Sequence, residues 1–168
     1  MDFVDTMATY FAGERATGLA LVPIGLLVLG GAIYVLRAHG GGFGWTFGSA
    51  LLLVGVAAAG GGGYLAAKTT PQVEALTTLY QQDVAAFVAQ EVPRMSRVNK
   101  NWPVLKMAWA VMAVLGLLGL LFVHREWVTG LALALLFIGT FAMVIDTFAE
   151  RRAVPYTAAL ESLDVAAV

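Results

Sequence analysis

The sequence predicts an all-α integral membrane protein with four transmembrane helices. They form two hairpins related as a parallel internal repeat, with amphipathic cytoplasmic helices attached. Three observations predict it. First, 60% of the residues are hydrophobic and only 12% are charged, whereas a soluble domain carries about a quarter charged residues and about 45–50% apolar ones. Second, the charges cluster and leave four apolar runs of roughly 20 residues, enough to cross a bilayer core as helices. Third, YLAAKTTPQVEAL at 64–76 returns as FAERRAVPYTAAL at 148–160, offset by 84 residues.

Residues 1–15 read as an amphipathic segment. Phe3, Val4, Met7, Tyr10 and Phe11 line one face, while Asp2, Asp5, Thr6 and Thr9 fall largely elsewhere. The acidic start lacks the positive n-region of a cleavable signal peptide, so the N-terminus is expected to be retained.

The first hairpin occupies 16–67, with spans at 16–36 and 47–67 joined by the glycine-rich turn RAHGGGFGWT. Residues 68–103 form a cytoplasmic linker. The second hairpin occupies 104–149, with spans at 104–123 and 128–149 around HREW. Residues 150–168 form a cytoplasmic C-terminal helix. In lipid only helices satisfy the backbone of such isolated runs. Of the ten Lys and Arg residues, Arg15, Lys68, Arg94, Arg97, Lys100, Lys106, Arg151 and Arg152 lie on the side of the termini, against Arg37 and Arg125 opposite. This positive-inside bias puts both termini in the cytoplasm. The Ala/Gly-rich makeup points to a bacterial inner membrane.

In the repeated stretch Pro71, Ala75, Leu76 and Leu79 recur as Pro155, Ala159, Leu160 and Leu163, and Lys68 is answered by Arg152. The first spans of the two halves align at an offset of 88, where Gly31, Val35 and Arg37 meet Gly119, Val123 and Arg125. Each hairpin begins and ends on the same side, which implies a pseudo-two-fold axis along the membrane normal. A basic residue followed by proline reads as an elbow, where a span stops and a surface helix starts.

The linker helix is expected over 71–92. Val73, Leu76, Leu79, Tyr80, Val84, Phe87 and Val88 fall at helical spacing and form a candidate partner-binding stripe. The opposite face, with Gln72, Glu74, Gln81 and Gln82, is not basic enough for a membrane-surface helix, which favours protein contact. Pro93 is expected to stop that helix and Pro103 to start the third span. Between them Arg94, Arg97 and Lys100 are candidates for contact with anionic lipid headgroups.

Few residues offer chemistry. Asp146 is the one acid placed within a span, and Glu150 follows a turn later; with Arg151 and Arg152 they form a candidate ion-pair or ion site. His39 and His124 sit singly in the two outer turns, a weak metal signal. No nucleotide or metalloprotease motif is present, and no metal, cofactor or catalytic group is assigned. There is no cysteine, which excludes disulfides and thiol chemistry, and the net charge of −1 gives no nucleic-acid footprint. Gly61 and Gly62 follow Ala57 and Ala58 by four residues, a spacing for close helix packing.

These features favour a small membrane protein that binds another protein, as a membrane-complex subunit or an immunity-type protein. The expected partners are the lipid bilayer and either a protein or further copies of the chain. An oligomeric channel or transporter is the alternative, and a lipid-acting enzyme a third reading.

Overall fold

The computed structural model describes residues 3–167 and is helical almost throughout. The elements are α1 (Phe3–Ala38), α2 (Gly41–Gln82), α3 (Val84–Phe122) and α4 (Glu126–Ala167). Met1, Asp2 and Val168, which belong to the predicted terminal segments, lie outside the described residues. All four helices are long and apolar enough to cross a membrane. They are also longer than a membrane needs. At about 1.5 Å per residue, the 42 residues of α2 extend roughly 63 Å, about twice a hydrocarbon core.

The two ends of the bundle are built by opposite rules. Over the predicted spans the large apolar side chains point outward: Leu27 is 76% exposed and Phe122 73%. An exterior this apolar belongs in lipid. The interior there is made of small residues, namely Gly18, Gly25 and Ala32 of α1, Gly48, Gly55 and Gly62 of α2, Gly116 of α3, and Ala132 and Gly139 of α4. Toward the chain termini the interior fills with Phe3, Met7, Tyr10, Phe11, Leu76, Phe87, Met95, Tyr156 and Leu160. This end, called the head below, has an interior like that of a soluble bundle.

One register serves both regions. In α2, Gly48, Gly55, Gly62, Thr69 and Leu76 are buried in turn, each seven residues after the last. In α1 the series is Phe11, Gly18, Gly25 and Ala32. In α4 it is Ala132, Gly139, the half-buried Asp146, Ala153 and Leu160. A seven-residue period keeps one seam against a neighbour when helices wind around each other left-handedly.

The glycines let backbones touch. A Cβ on Gly62 would stand 2.6 Å from the Gly18 carbonyl oxygen, and one on Gly139 would stand 2.6 Å from that of Trp109. These contacts lay α1 along α2 and α3 along α4. The middle of the bundle is made by α2 and α4, since α1 and α3 have no direct backbone approach. Where α2 and α4 begin, the Thr46 hydroxyl donates to the Trp127 carbonyl at 3.0 Å.

The connections are short. The turn at His39–Gly40 leads into Gly41, whose φ of +80° lies in the left-handed region that suits glycine. Asp83 alone joins α2 to α3. Its N–H donates to the Leu79 carbonyl at 2.8 Å, and its carboxylate accepts from the Ala86 N–H at 2.9 Å, closing one helix and capping the next.

Three sequence expectations change. The elbows at Pro71 and Pro155 do not form, because α2 and α4 run through them. Pro93 and Pro103 likewise lie inside α3. Each of these prolines is exposed, as is Pro23 in α1. The hydrogen bond lost at each proline therefore falls on the outer side, and the buried seam continues past it. The linker helix expected over 71–92 is instead the end of α2, a one-residue break and the start of α3. Finally, Gly61 does not pack within the chain: it is exposed with open space around it, and only Gly62 is on the seam.

Gly62→Leu should therefore lower stability in detergent by about 3 kcal/mol or prevent folding, because backbone atoms must move to admit the side chain. Gly61→Leu should stay within about 0.5 kcal/mol of the parent. Thermal unfolding of the two variants side by side checks this; equal losses would refute the seam.

Candidate functional site

The most developed polar arrangement lies inside the head. Glu91 of α3 is fully buried. A buried carboxylate needs a counter-charge and hydrogen bonds to remain ionised, and Glu91 has both. Arg94, one turn along, donates from Nε to Oε2 at 2.7 Å and from Nη2 to Oε1 at 2.5 Å. Tyr156 of α4 donates its hydroxyl to Oε1 at 2.8 Å. Tyr156 stacks on Tyr10 of α1 with ring centres 4.7 Å apart and planes 12° from parallel. The Arg94 guanidinium lies 5.6 Å from the Phe11 ring centre. One ion pair thus ties together α1, α3 and α4.

The head projects beyond the apolar spans, so its titrations are those of a protein interior. Burial, then the neighbouring Glu91 charge and its hydrogen bond, push the Tyr156 phenol well above its ordinary value. Burial and Glu14 do the same to Tyr10, whose hydroxyl donates to Glu14 at 2.8 Å. For Arg94 burial opposes the charge, but Glu91 more than restores it and the guanidinium is held above its usual range.

A second polar layer lies where the spans meet the head. Trp109 donates its indole N–H to Asp146 Oδ2 at 2.6 Å. Lys106 forms an ion pair with Glu150. Arg152 reaches α1, where it donates to the Thr17 hydroxyl at 2.9 Å and packs over Gly13. The expected cluster of Asp146, Glu150, Arg151 and Arg152 is therefore split. Its acids pair with α3, Arg152 turns to α1, and Arg151 is exposed. The i, i+4 spacing of the acids was legible in the sequence; their partners, about 40 residues away, were not.

The candidate partner-binding stripe is largely occupied by the chain itself. Leu76, Phe87 and Val88 belong to the head core, and Val73, Leu79 and Tyr80 pack against it. Val84 alone is exposed, at 39%. Of the basic residues proposed for lipid contact, Arg94 turns inward to Glu91, whereas Arg97 and Lys100 point outward. His39 and His124 come together with Phe43 and Glu126 around one open cleft, but no group of three or more His, Asp or Glu suited to a metal occurs among the described residues. The sequence reading missed Glu91, Tyr10 and Tyr156 as a unit. The available signal was Glu91 one turn before Arg94 within an otherwise apolar stripe.

Comparison with known proteins gives no match to a family model, to a curated protein or to a solved structure.

The buried network sets a clear expectation. Glu91→Ala should destabilise the head by about 1–3 kcal/mol, because the buried Tyr156 hydroxyl loses its acceptor and the half-buried Arg94 loses its counter-charge. The double variant Glu91→Leu with Arg94→Leu should recover most of that loss. Chemical denaturation followed by tyrosine fluorescence separates the cases; a single variant as stable as the parent would remove the network from the account.

Proposed function

We propose that the chain is a small polytopic membrane protein that works by binding another protein, as a subunit of a membrane complex or as an immunity-type protein, rather than by catalysis. The observation that carries this reading is the shape of what remains available. The spans close by backbone contact and the head closes around an aromatic core, and the open cleft of about 500 Å³ beside that core, which includes Gln82, Gln90, Glu91 and Arg94, holds no cysteine, histidine or serine among the described residues. What the head presents is its tip, where residues 81–86 are exposed in unbroken succession around the Asp83 turn. The tip includes Gln81, Gln82 and Val84 and stands at the end of α2 farthest from lipid. On this reading the partner surface is the tip and not the stripe behind it.

The same proposal places both termini and the head in the cytoplasm of a bacterium, with the chain in its inner membrane. The Lys/Arg asymmetry and the Ala/Gly-rich composition support it. It also treats the chain as two equivalent hairpins, α1 with α2 and α3 with α4. The central pairing of α2 with α4 is what a pseudo-two-fold axis along the membrane normal requires.

A second reading, an oligomeric channel or transporter, is favoured by one observation. Gly30 and Gly31 of α1 and Gly60 and Gly61 of α2 are exposed to open space within apolar spans, as contacts between copies would need.

Gentle extraction from the native membrane followed by native mass spectrometry tests the proposal. A second protein should accompany the chain, and Val84→Arg with Gln82→Arg should weaken that association by about tenfold or more while thermal stability is kept. A pure homo-oligomer, dispersed by Gly60→Leu with Gly30→Leu, would contradict protein binding and favour the channel.

A further inference from the structure

Two clefts open where the spans meet the head, one in each half of the chain. The first, of about 280 Å³, lies between α1 and α2 and includes Phe11, Arg15, Thr70, Val73 and Glu74. The second lies between α3 and α4 as two adjoining hollows of about 350 and 320 Å³. They share Asn99, Thr157 and Glu161 and include Lys100 on one side and Trp102 on the other.

These clefts correspond. At the offset of 88 that aligns the first helices of each half, Phe11 and Ala12 match Asn99 and Lys100. At the offset of 84 that aligns the second helices, Thr70, Val73 and Glu74 match Val154, Thr157 and Ala158. Their charges also correspond in kind. In each cleft the first helix contributes one base, Arg15 or Lys100, and the second contributes one acid outside any ion pair among the described residues, Glu74 or Glu161; Glu150, which also lines the second cleft, is paired with Lys106. In the second cleft both charges sit one turn farther from the span, so the order of base and acid across the groove is kept. Neither base forms an ion pair with the acid of its cleft among the described residues. Between them lie hydroxyl and amide groups, with Asn99 donating to Thr157 at 3.1 Å. The Trp102 indole nitrogen is buried and has no hydrogen-bond partner among the described residues.

Their height fixes the class of ligand. Arg15 immediately precedes the first span and Thr70 follows the second; Lys100 and Trp102 precede the third and Val154 follows the fourth. The first cleft and the Trp102 hollow of the second therefore border the lipid headgroups, while the hollow beside Lys100 runs on into the head between Met95 and Leu160. A ligand there that satisfies an exposed base, an exposed acid and the hydrogen-bonding groups between them carries both an anionic and a cationic centre, with an apolar remainder in the bilayer.

From this we infer that the two clefts are paired binding sites for a phospholipid whose headgroup joins a phosphate to a primary ammonium. The phosphate lies toward Arg15 or Lys100, where the Trp102 N–H is a further donor, and the ammonium lies toward Glu74 or Glu161. A quaternary ammonium has no N–H for the carboxylate, and a glycerol headgroup has no positive charge. The inference is independent of the protein-binding reading and of which side of the membrane holds the head.

The test is native mass spectrometry of the full chain in detergent, titrated with phosphatidylethanolamine, phosphatidylcholine and phosphatidylglycerol of identical acyl chains. Two molecules of phosphatidylethanolamine should bind per chain, about tenfold more tightly than either other lipid. Arg15→Gln and Lys100→Gln, both at exposed positions, should each remove one bound lipid with the fold intact, and Trp102→Phe should weaken only the second site. Equal binding of the three lipids, or two bound lipids retained by both charge variants, would overturn the inference. Equally tight binding of soluble glycerophosphoethanolamine would overturn the assignment to lipid, since the apolar remainder would then contribute nothing.

Discussion

The structure depends on a single seam in which the residue size changes and the register does not. From Gly48 to Leu76 of α2 every seventh residue is buried. In lipid there is no hydrophobic gain from bringing apolar helices together, so close approach of backbones and the dispersion that comes with it must hold them. That is why the seam is glycine and alanine between residues 18 and 62. In water the burial of large apolar side chains is the main favourable term, and there the same seam carries Phe11, Leu76 and Leu160. One helix geometry satisfies two solvents because only the seam residue changes as the chain crosses the boundary.

The constraint explains the placing of charge. An ion pair at the bilayer centre is costly, whereas one inside an aqueous head needs only a partner and satisfied hydrogen bonds. Glu91 and Arg94 lie well into the head. The Asp146 and Glu150 layer lies at the boundary, with each acid held by α3. The packed interior of the spans holds no such pair among the described residues. A bundle closed in this way presents its tip, its lipid-facing surface and its boundary clefts to other molecules.

Much of the architecture was legible in the sequence. Four apolar runs of bilayer length define four helices, and the apolar residues at 3, 7, 10 and 11 and at 76, 87 and 88 mark faces that are buried. What they are buried against was not legible. An amphipathic stripe has the same pattern whether it meets another protein or its own chain, and the head core draws on all four helices. Proline was the more instructive error. Pro71, Pro93, Pro103 and Pro155 read locally as stops, since proline lacks an N–H and clashes with the preceding turn. Their exposed positions, out of phase with the seven-residue seam, were the sign that the helices continue. Asp83, an N-cap residue before Val-Ala-Ala, was the true break. At the polar sites single residues such as Asp146 and Glu150 stood out, but Trp109 and Lys106 gave no local hint of pairing with them.

The central claim is that α2 and α4 pass without a break from lipid into the head. Backbone amide hydrogen exchange of the chain in lipid nanodiscs addresses it directly. Protection should extend through residues 72–80 and 156–160 at a level comparable to the start of α3, because these segments share one core. Rapid exchange beginning at Pro71 and Pro155, with the spans alone protected, would mean that each span ends in an elbow and that the head is not a folded unit.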